Sequence, residues 1–243
     1  MDESTSMPVN DTPAPVTEKG LAFKGLWRVF YEPTAFFAKM KDNPKILWAW
    51  IMSTLLIVAF MYGASDIIAQ IQLDTARAQG QNIPDNIPMA YIKIPIIIFS
   101  ALAFGILPLI YAGIAMFWGN FVFGGLVRYK QLLCVSVYAL LIYSFGSLLH
   151  LPLVLAKQSM TVTFSPGVLV ADQGMQSLAF VALSKFGVFN IWEYFAFSIG
   201  VGVMYGFKNK NGYIIGLLTL GLISALHVLS TWIGAGMSAQ IGG

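Results

Sequence analysis

Two apolar runs near the C-terminal end, joined by a short basic link, constrain this chain more than any other feature. The first is Phe189–Phe207, the link is Lys208-Asn209-Lys210-Asn211-Gly212, and the second is Tyr213–Ile233. Each run is about 20 residues, the length of helix that crosses a bilayer core of roughly 30 Å. A link this short leaves room only for a tight turn, so the two helices must be antiparallel neighbours. A carboxylate, Glu193, lies inside the first run and a histidine, His227, inside the second.

Three more runs precede this pair. Ile46–Ala64 is the first span, and its pattern continues at Ile67, Ile68 and Ile71, so the helix is expected to project beyond the membrane. Ile94–Phe123 is longer than a straight crossing needs and contains Pro108, which is expected to kink it. Leu132–Ala156 is the third. Lipid offers backbone groups no hydrogen bonds, so spans of this length form helices. The expected fold is therefore all-α: a polytopic membrane protein of five transmembrane helices. Composition agrees, with 57% hydrophobic and 10% charged residues, against about 25% charged in soluble domains.

The remaining segments read differently. Residues 1–20, rich in Pro, Thr, Ser, Asp and Glu, have the composition of a disordered cytoplasmic tail. Residues 21–43 hold two short amphipathic pieces broken by Pro33. Leu26, Trp27, Phe30, Phe36 and Phe37 lie beside Lys24, Arg28, Lys39 and Lys41. They suit helices lying in the headgroup region, or helices packed on the bundle's own end. Residues 44–235 hold the five spans, and 236–243 read as a short tail on the other side. Between the third and fourth spans, Ser165-Pro166-Gly167 flanked by alternating residues is a weak hairpin signal, and Gln173–Phe186 has helical spacing.

Charge sets the orientation. Lys19, Lys24, Arg28, Lys39, Lys41 and Lys45 precede the first span. Arg128 and Lys130 lie in the second-to-third link, and Lys208 and Lys210 in the fourth-to-fifth. Only Arg77, Lys93, Lys157 and Lys185 fall on the opposite side. Cations concentrate in cytoplasmic links, so the N-terminus is expected in the cytoplasm and the C-terminus outside it. The same cations favour anionic lipids at the cytoplasmic face.

On this topology Glu193, His227 and His150 share the outer half of the bilayer and form a candidate intramembrane polar site. Glu193 is expected to face the interior and to bond His227 or a nearby hydroxyl, Tyr194 or Ser198. An intramembrane carboxylate is costly unless paired or wetted. Gly202 and Gly206, and Gly212 and Gly216, are small-residue pairs that allow close helix approach. They are candidate packing positions within the last hairpin, or in a homo-oligomer. Trp48 and Trp50 at one interface, and Trp192 and Trp232 at the other, fit aromatic belts.

No zinc-binding HExxH, no phosphate loop and no GxSxG elbow occurs. Cys134 is the only cysteine, which excludes an intrachain disulfide. No cofactor, metal, catalytic residue or nucleic-acid partner is expected.

Several stretches resemble the Yip1 domain family of five-span membrane proteins. They are Tyr31-Glu-Pro33-Thr-Ala-Phe36-Phe37 followed by Asn43-Pro44, Val127-Arg-Tyr129 through Tyr138, and Phe189-Asn-Ile-Trp192 with the short link that follows its span. The resemblance covers roughly 30–235. It implies a cytoplasmic N-terminus and supplies no catalytic residues. Eukaryotic members act in vesicle traffic with Rab GTPases and carry Asp-Leu-Tyr-Gly-Pro before the first span. That signature is absent here, so the resemblance points to a bacterial-type member in the inner membrane. The expected function is a non-enzymatic scaffold or adaptor in membrane organisation or trafficking, with an unknown protein partner. The alternative is a small transporter, channel or lipid-handling protein using the Glu193–His227 region.

Overall fold

A computed structural model describes residues 25–84, 86–207 and 210–241, with side chains described as far as 233. The segment 1–20 lies outside the described residues. Helices account for the five spans: Leu47–Ala78, Ala90–Met116 continued by a π-helical segment Phe117–Val122, Tyr129–Lys157, Val188–Tyr205 and Asn211–Ile241. No strand occurs among the described residues. The first helix does run well past the apolar window, and the fifth continues through Ile241.

The third span is the axis of the bundle. Of its most apolar 18 residues 72% are buried, against 11% for the second span. It packs against the first, second and fourth spans, and the fifth packs mainly on the fourth. Its side chains from Leu132 to Ile142 are buried around the whole helix circumference, which is why it has no polar face. The other four spans leave apolar faces exposed, as helices solvated by lipid do.

The short N-terminal helices, Arg28–Tyr31 and Pro33–Met40, turn their apolar faces to the bundle. Val29, Phe36 and Phe37 are essentially inaccessible. The Phe36 ring meets Tyr138 edge-on at 4.6 Å, and Phe37 fits over Gly200, where a Cβ would stand 2.9 Å from the ring. Backbone anchors hold the segment that follows. Gln131 Nε2 donates to Lys41 O (2.7 Å), Tyr138 Oη to Lys45 O (3.1 Å), and Lys41 Nζ to Val203 O (3.1 Å). These helices are part of the folded domain, with only their outer faces left for the membrane boundary.

The loop between the third and fourth spans is not a hairpin. Pro166–Gln173 forms a 3-10 helix. Pro166 supplies a helical φ at the first position, and Ser165 Oγ accepts from Gly167 N at 3.1 Å, an N-cap. Those two devices outweigh the alternation in the sequence. Leu178–Ser184 then forms a helix capped by Ser177, whose Oγ accepts from Phe180 N at 3.2 Å.

The last two spans form the expected antiparallel hairpin, but the glycines do not act as two matched pairs. Gly212 lies against Gly202, and Gly216 against Ser198, across the helix contact. Gly206 instead ends the fourth span with φ +70, the left-handed cap that glycine adopts without strain. Asn120, in the π-helical segment, accepts from Tyr205 Oη at 2.7 Å. The Tyr205 ring fills the space left by Gly119 and Gly125. Trp50 departs from the aromatic belt: it is half-buried, and its Nε1 donates to Gly105 O of the second span at 3.2 Å.

Candidate functional site

The fourth span begins at the floor of the long loop. Gly187 is its N-cap, and Val188 N donates to Phe164 O at 3.2 Å, which ties the loop to the helix start. The loop is tied again from the third span. His150 bonds through Nε2 to Val162 O, and its ring packs against Phe60 and Phe164, with centroids 6.3 and 5.5 Å away. Between loop and bundle lies a cavity of about 440 Å³, within the size range of small-ligand sites. Ser147, His150, Lys185, Asn190 and His227 are its chief polar lining, with Phe60, Phe164, Phe180 and Phe189 among the apolar walls.

Glu193 lies one helical turn beyond Asn190, beneath this cavity. It is 3% exposed, and its Oε1 is buried without a hydrogen-bond partner. The groups within its electrostatic reach are Tyr111 of the second span, Tyr143 of the third, the adjacent Tyr194, and Lys185 at the cavity wall. Tyr143 also lines the cavity, so it is a neighbour of both the acid and the open space. Lys185, outside the spans, is itself poorly hydrated. Desolvation pulls its ammonium below the usual lysine range, and the field of Glu193 opposes part of that fall.

The three titratable residues expected to cluster are therefore gathered at one end of the bundle without bonding one another. His150 and His227 both line the cavity. Glu193 has no hydrogen bond to His227 or to the hydroxyls of Tyr194 and Ser198. Tyr194 Oη bonds Ser224 Oγ of the fifth span instead, and His227 stands exposed at the cavity edge. The reason is rotation. Successive residues turn about 100° around a helix, so Tyr194 faces the fifth span while Glu193 faces the second and third. Depth follows from counting residues, but azimuth does not.

Lys185, Asn190, Tyr111 and Tyr143 join the site only through the tertiary structure. Lys185 was legible as a charge on the loop side. The two tyrosines lie in apolar runs and carry no local signal of their placement. Among the described residues no group of three His, Cys, Asp or Glu side chains is close enough to hold a metal ion. What the arrangement offers chemically is an acid screened from water beneath a polar, partly aromatic vestibule.

The fold and this site define an all-helical integral membrane protein that crosses the bilayer five times around a buried third helix. The particular family follows from comparison. The Yip1 domain model matches residues 27–231, and the chain belongs to the Yip1 domain family. It is also similar to Membrane protein YknW of Bacillus subtilis (strain 168), with 24% identity over 215 residues, covering 84% of this chain and 89% of that protein. No solved structure matches.

Proposed function

We propose that this Yip1 family protein is a non-enzymatic scaffold or adaptor of a bacterial inner membrane, with its cationic end in the cytoplasm. The observation that supports this reading most is the filled middle of the bundle. Leu140, Leu141, Ile142, Ala196, Phe197, Val201, Ile215 and Leu220 are each at most 4% exposed. They lie between the loop-side cavity and the N-terminal helices. A conduit needs a wet path between the two ends, and packed side chains at this density admit none without rearrangement.

A scaffold instead needs a rigid platform with a distinctive outer face. The N-terminal helices, pinned to the third and fourth spans, present Trp27, Tyr31 and Lys39 outward. The test has two arms. Photocrosslinking amino acids at Tyr31 and Lys39, in native membranes, should give discrete protein adducts, with Tyr91 at the loop end as the control. Purified protein in sealed vesicles should show no flux of protons or small solutes above empty vesicles. Flux that disappears with Glu193→Gln would replace this reading with transport.

A further inference from the structure

The loop between the third and fourth spans has an inner and an outer face. Phe180 and Lys185 line the cavity beneath it. Val168, Leu169 and Phe186 take no part in that lining and are 47%, 79% and 60% exposed. Their segments are held together. The 3-10 helix packs on the short helix that follows it, and a Cβ on Gly167 would stand 2.7 Å from Ser184 Oγ.

The outer face is apolar beyond what a loop in water needs. Between Gln158 and Phe189 only Asp172 and Lys185 carry charge. Lys185 lines the cavity, and Asp172 stands exposed near the far end of the 3-10 helix. Exposed apolar patches of this kind mark a contact. This one runs on into the fourth span, where Val188, Ile191, Trp192 and Phe195 are exposed at helical spacing. Lipid covers that stripe, so the loop face continues a surface that already meets lipid.

The length of the fourth span sets the level of the loop. It has 18 residues, roughly 27 Å at 1.5 Å per residue, against about 30 Å of hydrocarbon. Near its other end Lys41 Nζ donates to Val203 O at 3.1 Å, so a charge marks the polar boundary before the helix ends. The helix by itself falls short of the bilayer core, and the chain just before Val188 lies where the missing length must come from. A partner arriving from water would meet this face only inside the headgroup layer.

We propose that the outer face of this loop is a membrane-contact surface, seated in the adjoining leaflet with Val168, Leu169 and Phe186 among the upper acyl chains and Asp172 at headgroup level. The loop is then a roof held between the bundle and the lipid, whichever side of the membrane that leaflet faces. The scaffold reading is not required for it.

Fluorescence quenching tests the placement. In the full chain carrying Cys134→Ala, Leu169→Cys, Phe186→Cys and the exposed polar control Gln176→Cys are each labelled with the fluorophore NBD and placed in phosphatidylcholine nanodiscs. Thermal unfolding in detergent reports that each labelled bundle is intact, and Val168→Cys replaces a position whose label disturbs it. Lipids brominated on their upper chains should quench several-fold more at 169 and 186 than at 176, and aqueous iodide should do the reverse. Iodide quenching at 169 and 186 equal to that at 176 overturns the proposal, because the loop then stands in water. Shielding of 169 and 186 from both quenchers overturns it as well, because protein, such as a second copy of this chain, then covers the face.

Discussion

Gly212 of the fifth span lies so close to Gly202 of the fourth that a Cβ built on Gly212 would stand 2.5 Å from the Gly202 Cα. The obstacle is backbone, which cannot swing aside as a flexible side chain can. Lipid provides no hydrophobic drive for helices to associate, so close packing of small residues carries much of the hairpin's stability. Gly212→Ala should therefore cost about 1–3 kcal/mol by overpacking. Gly221→Ala, on the same helix with nothing within 4 Å of its Cβ position, should be neutral or slightly stabilising. Thermal or denaturant unfolding in mild detergent measures both, and equal behaviour of the two variants would rule out the close contact.

Further along the same interface, beyond the contact of Gly216 with Ser198, Tyr194 and Ser224 share a hydrogen bond between the fourth and fifth spans. Bonds of this kind in membrane bundles are worth about 0.6 kcal/mol on average, with a maximum of about 1.7. Tyr194→Phe and Ser224→Ala should each destabilise by about that amount. The double variant should lose no more than the worse single one. A double-mutant cycle that found strict additivity would show that the two hydroxyls act separately.

Burial separates Glu193 from His227 in a way a thiol reagent can detect. In a background with Cys134 replaced by Ala, Glu193→Cys should resist a membrane-impermeant maleimide, because position 193 is 3% exposed. His227→Cys, at the edge of the cavity, should react. The labelling side also tests orientation: reaction at position 227 from the non-cytoplasmic side agrees with the charge asymmetry, and reaction from the cytoplasm contradicts it. Rapid labelling at position 193 would reveal a wet path that the packed interior lacks.

Lys185 gives a pH dependence with a definite sign. Its ammonium titrates below the ordinary lysine value of 10.5 in the folded protein, chiefly through desolvation. Between the folded and unfolded values the unfolded chain binds more protons, so stability rises with pH across that window and levels off above 10.5. Below the window the full cost of burying the charge persists. Lys185→Gln should flatten this contribution, visible as a wild-type-minus-variant difference in unfolding between neutral and alkaline pH. A wild-type-minus-variant stability that fell as pH rose would reverse the sign and point to a stabilising pair with Glu193.

The way each element could or could not be read follows from the period of the signal that specifies it. Five spans, their approximate limits and the pairing of the last two were legible because each rests on a run of apolar residues interrupted by charge. The overhang of the first helix was legible too, since Ile67, Ile68 and Ile71 keep the helical period. Ser165-Pro166-Gly167 misled because alternation over so few residues also fits a capped turn of 3-10 helix. The amphipathic faces of 21–43 were clear, but not what they cover. Phe37 seats on Gly200, far along the chain, and no local pattern encodes that meeting.

Chain order alone determined that this protein has five apolar spans, roughly where each begins and ends, and how far along them Glu193, His227 and His150 lie. Hydropathy and charge act residue by residue, and rise per residue converts position into depth. Tertiary structure alone decided which way each side chain turns. It set Glu193 beside Tyr111 and Tyr143 instead of His227, made the third span the axis, and closed Gly212 onto Gly202. In an apolar solvent every face of an apolar helix is equally soluble. Rotation about the helix axis is therefore fixed only by the shape of its neighbours.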